Sequence, residues 1–326
     1  MPVQLRPYKH ATDYDLVSEF LIAHYQPGNR DGNYLEPAWE YMHHHPAMDT
    51  SVLEHIGIWE DNGAIVGVVH PEWELGEAFF EFHPAYRELR QQMLDYAEAH
   101  LVGRETPEGP AYLQVWVNDW DEPFQALLAE RGYEHAAEQD WPMAQLAMPD
   151  PFPEISLPVG YALTDLEKEP DWAKVHRALW RGFNHEGEPP GGQEELDERR
   201  AMFDTPKARR DLKIVVRAPS GDFVAFCGTF FEPNARFCYV EPVATDPDHR
   251  RMGLGRAAVL EGVRRCGALG ATDAYVGSNQ PFYLSLGFEV IYTSECWRKV
   301  WDERRAAPAL TIQVAPVYAK QETQHA

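Results

Sequence analysis

The chain has 326 residues, 44% of them hydrophobic, and a formal net charge of −23. That is enough for two domains of ordinary size, each with a core of its own, and the acidic balance argues against nucleic acid or an anionic membrane as partner, since both need basic surface. No run of about 18 apolar residues exists to cross a membrane, and Met1-Pro2-Val3-Gln4 lacks a charged-then-apolar signal, so a cytoplasmic protein is expected.

The four cysteines, at 227, 238, 266 and 296, have no metal-ligand spacing and read as reduced, buried thiols, with no metal expected. The acidity is uneven. Residues 1–150 hold 7 lysines and arginines against 27 aspartates and glutamates, and the remainder hold 22 against 25. This is compatible with a cationic amine as substrate, although most such carboxylates serve only solubility.

In chain order, a strand and a helix over Val3 to Tyr25 lead into a polar loop rich in Gly, Asn and Pro. A hairpin follows, Ile56 to Trp59 and Ala64 to Val69, about the turn Asp61-Asn62-Gly63. Then come a strand at Ala78 to Phe82, a helix from Glu88 to Leu101, a strand at Tyr112 to Val117, a helix at Pro123 to Glu130, and Gly132-Tyr133 opening the last strands. The adjacent His43, His44 and His45 cannot all face one metal from a helix, and their spacing fits no ligand pattern.

The proline-rich run Met148-Pro149-Asp150-Pro151-Phe152-Pro153 reads as a linker. Beyond it the order repeats: a strand and helix over Tyr161 to Phe183, a polar loop, and a hairpin of Ile214 to Val216 with Phe223 to Phe226 about Ser220-Gly221. Arg236 to Ala244 is aromatic and β-branched enough for a strand, and Val259, Leu260, Val263 and Cys266 recur at helical spacing after Gly255. A repeat of about 160 residues is too long for a solenoid and reads as a duplicated domain. The expected division is 1–148, a linker 149–155, 156–301, and a tail 302–326 in which Leu310 to Val314 could add an edge strand.

Between that strand and helix lies Asp246-Pro247-Asp248-His249-Arg250-Arg251-Met252-Gly253-Leu254-Gly255-Arg256. A helix start has backbone N–H groups without intrahelical partners and a positive dipole end, so an anion lies well there. Gly253 and Gly255 let a ligand approach without a Cβ in the way, and arginines at 250, 251, 256, 264 and 265 add charge. Neither a Walker A loop nor a dinucleotide fingerprint is present. Further on, Asp273 to Gly277 reads as a strand, Asn279 to Ser285 as a short helix, and Gly287 to Tyr292 as another strand.

Arg250-x-x-Gly253-x-Gly255 resembles the pyrophosphate loop of the GCN5-related N-acetyltransferases (GNAT), which bind acetyl-coenzyme A. Pro281-Phe282-Tyr283-Leu284-Ser285-Leu286-Gly287-Phe288 resembles their second motif, in which a helix tyrosine precedes Gly-Phe by four residues. The family usually spaces its asparagine further from that tyrosine than Asn279 stands from Tyr283, so the helix entry is shortened here. The resemblance covers about residues 156–301 and is architectural in the first half. It implies an α+β (α/β/α) protein of two tandem GNAT folds, each a mixed, mostly antiparallel, splayed sheet flanked by helices.

It further implies acetyl-coenzyme A as co-substrate, held by Arg250, Arg251, Met252, Gly253, Leu254, Gly255, Arg256 and Asn279, and by the backbone N–H groups of Val243 and Thr245 on the splayed strand. The reaction expected is direct transfer of the acetyl group to a small-molecule or peptide amine, with Tyr283 as general acid to the departing thiolate. Glu241, two residues before Val243, is the first candidate for general base; the competing reading is a solvent-facing glutamate beside a bulge at Pro242. Trp180 to Pro190 is the expected acceptor loop, in which His185 is an alternative base and Glu186 a partner for an ammonium group.

The two halves differ where it matters. His83-Pro84-Ala85-Tyr86-Arg87 corresponds to Asp246 to Arg250, which aligns Arg90 and Gln92 with Gly253 and Gly255; Leu128 takes the place of Tyr283. The first copy is therefore expected to be non-catalytic. A coenzyme A-binding sensor or scaffold that has lost catalysis is the alternative reading for the whole chain.

Overall fold

A computed structural model describes residues 3–301; the tail segment Leu310 to Val314 lies outside the described residues. The chain divides into two compact units, the first made of residues 3–43, 47–142 and 292–301, the second of 44–46 and 143–291, among those described.

The first unit runs β1 (Gln4–Pro7), α1 (His10–His24), α2 (Glu36–His44), β2 (Gly57–Asp61), β3 (Ala64–His70), β4 (Glu77–Phe82), α3 (Arg90–His100), β5 (Gly103–Arg104), β6 (Ala111–Asn118), α4 (Glu122–Glu130) and β7 (Glu134–His135). Strands β1 to β4 form an antiparallel meander and β4 lies parallel to β6. The hairpin turn is the expected one: Asn62 and Gly63 both have positive φ, 53° and 81°, which matches the twist of the flanking strands. Met93, Leu94 and Ala97 of α3 pack with Val66, Phe80, Leu113 and Val115 of the sheet in one core, each large aliphatic side chain contributing about 1.5–3 kcal/mol by burial.

The second unit contains β8 (Trp141–Ala147, from residue 143), β9 (Ala162–Asp165), α5 (Trp172–Gly182), α6 (Gln193–Ala201), β10 (Lys213–Arg217), β11 (Phe223–Glu232), β12 (Phe237–Thr245), α7 (Leu254–Leu269), β13 (Asp273–Val276), α8 (Pro281–Leu284) and the first residues of β14 (Glu289–Trp301). Here too four antiparallel strands, β9 to β12, are followed by a parallel neighbour, β13. Leu254, Ala258, Val259, Val263 and Cys266 of α7 meet Ile214, Ala225, Cys227 and Val240 in the core. Both units are thus mixed sheets flanked by helices, the α+β class expected.

Two features differ from the sequence reading. The division falls at 142/143 rather than 148, and residues 292–301 belong to the first unit, because β14 pairs with β6 from Ser294↔Asn118 to Trp301↔Ala111. In the second unit the strand against β13 is β8, from Asp273↔Ala147 to Val276↔Ala144. In each unit a strand from the other half of the sequence joins the sheet. The two polar loops also contain helices, α2 and α6. Of α6 only Arg199 is buried, so it shows no apolar periodicity by which sequence reasoning finds a helix. Residues 149–155 carry neither helix nor strand.

Candidate functional site

Strand β12 carries the first part of the site. Its ladder with β11 slips between Cys227↔Val243 and Thr229↔Val240, so Glu241 and Pro242 together oppose Gly228. That is a β-bulge. A Cβ on Gly228 would overlap the Glu241 carbonyl, which explains the glycine. The bulge also breaks the alternation from which Glu241 was assigned to the face of Val243: Val240 and Val243, three residues apart, enter the same core.

Beyond the bulge one edge of β12 is open. The Asp246 N–H donates to Val224 O at 2.9 Å, so by the two-residue period of an antiparallel ladder Ala244 faces β11 and the N–H groups of Val243 and Thr245 point the other way. On that side the pairing with β13 stops at Tyr239. The two donors named from sequence therefore sit side by side at an unpaired strand edge.

The turn after β12 is held by ion pairs. Asp246 caps it by accepting from the Asp248 N–H at 3.0 Å and takes two hydrogen bonds from Arg181 of α5, at 2.5 and 3.0 Å. Burial pulls the Asp246 pKa up, but the bonds from Arg181 and the Asp248 N–H outweigh it and hold the carboxyl below its ordinary value. Arg250 donates to Thr245 O and, at 2.7 Å, to Gly182 O, so it ties β12 to the end of α5.

Arg251 (φ 60°) and Gly253 (φ 80°) then turn the backbone into α7. The six consecutive N–H groups of residues 251–256 have no acceptor among the described residues. A Cβ on Gly253 would meet no described atom within 4 Å, whereas one on Gly255 would stand 2.9 Å from Thr245 Oγ1 and 3.4 Å from the Phe282 ring. Arg251, Met252 and Arg256 are exposed and Leu254 is buried in the core. The residues present fit an oxyanion: a row of unpaired backbone donors at a helix start, open space beside the glycine, and cationic side chains around it.

Gly255 brings the tyrosine helix close, since its nearest neighbours are Thr245 and Phe282. Tyr283 is 5% exposed, between Phe282 and Phe288, with ring centroids 4.9 and 6.0 Å away. Burial, then the charge of Glu241 and of Cys227, pushes its phenol well above the usual pKa, so the hydroxyl keeps its proton at neutral pH. Glu241 is half-buried and near enough to act on Tyr283 electrostatically. Asn279 is exposed in the loop before α8, outside this cluster. The arginine at 181 was missed from sequence because its partner lies 65 residues on; the Asp-Pro-Asp cap at Asp246 was the only local hint.

The first unit has the same frame with different contents. His83 caps its turn by accepting from the Ala85 N–H at 3.1 Å, as Asp246 does, and Arg87 donates to Asp31 O, as Arg250 does to Gly182 O. Where the second unit has Gly253, Arg90 extends to Asp121, the cap of α4, at 2.7 Å, with Arg87 on the same carboxylate at 3.2 Å. An ion pair joins the start of α3 to the start of α4, and Leu128 is buried in the core. His43 is engaged by Tyr8 and by the Trp39 carbonyl. No group of three or more His, Cys, Asp or Glu arranged for a metal is found among the described residues, and no helix there is long and apolar enough to cross a membrane. All four cysteines are free and buried.

Residues 172–288 match the model of the acetyltransferase (GNAT) family. Two solved structures are similar over both units. A GCN5-related N-acetyltransferase from Sphaerobacter thermophilus shares 16% identity at a TM-score of 0.58, over 94% of this chain and 98% of that one. A tandem GNAT protein from the clavulanic acid biosynthesis pathway shares 14% identity at a TM-score of 0.60, over 92% and 98%. At these identities the likeness is one of fold. No curated protein matches.

Proposed function

We propose that this chain, whose residues 172–288 match the acetyltransferase (GNAT) family, is an acyltransferase that moves an acetyl group from acetyl-coenzyme A directly to an amine, and that its second unit does the chemistry. The observation that carries the reading is the row of six unpaired N–H groups at residues 251–256 beside an open strand edge and a buried tyrosine.

In this reading Arg251, Met252, Gly253, Leu254, Gly255 and Arg256 cradle the pyrophosphate, and the N–H groups of Val243 and Thr245 receive the thioester carbonyl and the pantetheine arm. Donors fixed in the backbone need no reorganisation as the oxyanion develops, which is where such groups contribute most. The amine nitrogen attacks the carbonyl carbon, the C–N bond forms and the C–S bond breaks. The thiolate takes the proton of Tyr283, and the proton shed by the amine passes to Glu241, directly or through water. Burial keeps the phenol protonated until the thiolate forms beside it. Arg250 is assigned to positioning, since its Nε and one Nη2 hydrogen are given to the Thr245 and Gly182 carbonyls.

The first unit is proposed to be non-catalytic, because the Arg90–Asp121 pair stands where the second unit has glycine. Calorimetric titration with acetyl-coenzyme A, together with Tyr283→Phe, tests the proposal. An enzyme binds one cofactor per chain and loses turnover but not affinity in the variant. Tight binding with no consumption across a broad amine panel leaves the non-catalytic sensor instead.

A further inference from the structure

A buried cation in the second unit is left uncompensated. Arg199 of α6 is 7% exposed, makes no ion pair within 4 Å among the described residues, and has one hydrogen bond, from Nη1 to Met202 Sδ at 3.0 Å; its Nε has none. Glu195, one turn earlier on the same face, is the obvious partner, but its carboxylate folds back onto Gly192 at the helix start. An unpaired buried guanidinium costs several kcal/mol in order of magnitude, so its retention requires a reason.

His176 of α5 lies within electrostatic reach of it. The ring is 5% exposed, and neither nitrogen has a hydrogen-bond partner. Burial and then Arg199 hold its pKa below the ordinary value; the Pro190 carbonyl approaches without reaching hydrogen-bonding geometry, Glu195 opposes weakly and His185 adds slightly. The loop after α5 is fastened to that helix: Trp180 Nε1 donates to Gly187 O at 3.2 Å and Arg177 to Glu188 at 2.9 Å. Two buried donors within electrostatic reach of each other, His176 without a hydrogen-bond partner and Arg199 without a carboxylate within 4 Å among the described residues, on the two helices that bracket the expected acceptor loop, form half of a recognition site.

We infer that Arg199 and His176 bind an oxyanion, carboxylate or phosphate, at the far end of the amine acceptor. The inference rests on the acyltransferase reading for the amine, but not for the anion. Gly182, six residues and about 9 Å along α5 from His176, packs on Ala244 and Thr245. The oxyanion is therefore held about one such length from the open edge of β12, which selects acceptors whose amine and acid lie several bonds apart.

The test has two arms. In the first, matched acceptors are compared by thiol release: ω-amino carboxylates and dipeptides against their amides, and amino-sugar phosphates against the free amino sugars. The wild type should favour the acid-bearing member of one class by about tenfold or more in kcat/KM, mainly through KM, as expected for a charge-assisted hydrogen bond in a buried site. Arg199→Met should abolish that preference, and His176→Gln should weaken it. In the second arm, glutarate and inorganic phosphate are titrated by thermal shift at constant ionic strength, without cofactor; one of them should stabilise the wild type and not Arg199→Met.

The two arms also separate carboxylate from phosphate. Equal use of acid and amide, or a preference kept in Arg199→Met, overturns the inference. So does a clear loss of folding in Arg199→Met, since removal of an unpaired buried charge should leave stability unchanged or raised. If no amine is acetylated while acetyl-coenzyme A still binds, the acyltransferase reading fails by itself and the anion arm decides this one.

Discussion

Replacement of Gly253 by alanine should separate the backbone role of the cradle from its ligand role. Gly253 has φ 80° and ψ 7°, in the left-handed region that costs an L-residue roughly 1–2 kcal/mol. Its new Cβ would meet no described atom within 4 Å, so no packing penalty is added among the described residues. The same helix supplies a control at its other end, where Gly270 has φ 110° and ψ 10° and equally open surroundings. Gly270→Ala should lose at least as much stability, because its φ lies further from the left-handed minimum. Guanidinium denaturation at constant m should show both losses, about 1–2 kcal/mol each. Calorimetry with acetyl-coenzyme A should distinguish them: only Gly253→Ala places a methyl group among the six unpaired N–H groups, and its affinity should fall more than tenfold while Gly270→Ala stays within about twofold. Affinity unchanged in Gly253→Ala, or reduced equally in both, would refute the placement of the anion.

Tyr283→Phe should lower kcat by about 10²–10⁴, the usual worth of a positioned general acid, with acetyl-coenzyme A affinity preserved; a kcat within about threefold of wild type removes Tyr283 from the mechanism. Asp246→Asn should destabilise the second unit by about 1–3 kcal/mol, since Arg181 loses a buried charged acceptor. The folded-state pKa of Asp246 is depressed, so its contribution is complete above the unfolded value near 3.9 and is lost as pH falls through the lower folded value. The stability difference between wild type and variant should therefore shrink on acidification through that window, and a difference that persists there counts against the ion pair. Arg90→Ala should leave the binding stoichiometry at one acetyl-coenzyme A per chain, because Asp121 and Gln92 remain in the first unit; a second bound cofactor would contradict the assignment of that unit.

The cradle was legible because its information is local. Two glycines and an arginine at fixed spacing between a β-rich run and a helical one describe a helix start whatever surrounds it. The positions on β12 were less so. Pro242 hints at a bulge, but alternation counted through it put Glu241 on the wrong footing, since an inserted residue shifts the period by one. Arg199 carried no signal, and Arg181 only the indirect hint of the Asp246 cap: each acquires its meaning from a partner, or the lack of one, fixed by tertiary packing. Helix α6 was hidden because the sequence Gln193 to Ala201 buries a single side chain, and that side chain is charged. The destinations of β8 and β14 were equally unreadable, for a strand's pattern states that it joins a sheet and not which sheet edge accepts it.

The net charge of −23 opposes any polyanionic ligand at long range, yet both proposed anion seats escape that field for physical reasons. Beyond a Debye length of about 8 Å at physiological salt, exposed carboxylates are largely screened, and most of the excess lies in the first 150 residues, whereas the remainder is nearly balanced at 22 against 25. Within that length the donors are of kinds that surface carboxylates have not neutralised. Backbone N–H groups at residues 251–256 cannot lose a charge they do not carry, and Arg199 is buried and makes no ion pair within 4 Å among the described residues. The contrast with the first unit follows the same rule. There Arg90 and Arg87 supply positive charge at the equivalent turn, but Asp121 lies within hydrogen-bonding distance of both, so the turn is satisfied internally and an incoming phosphate would have to displace a carboxylate that is already in place. What distinguishes the two copies is therefore not the amount of positive charge at the helix start but whether the protein has supplied its own anion.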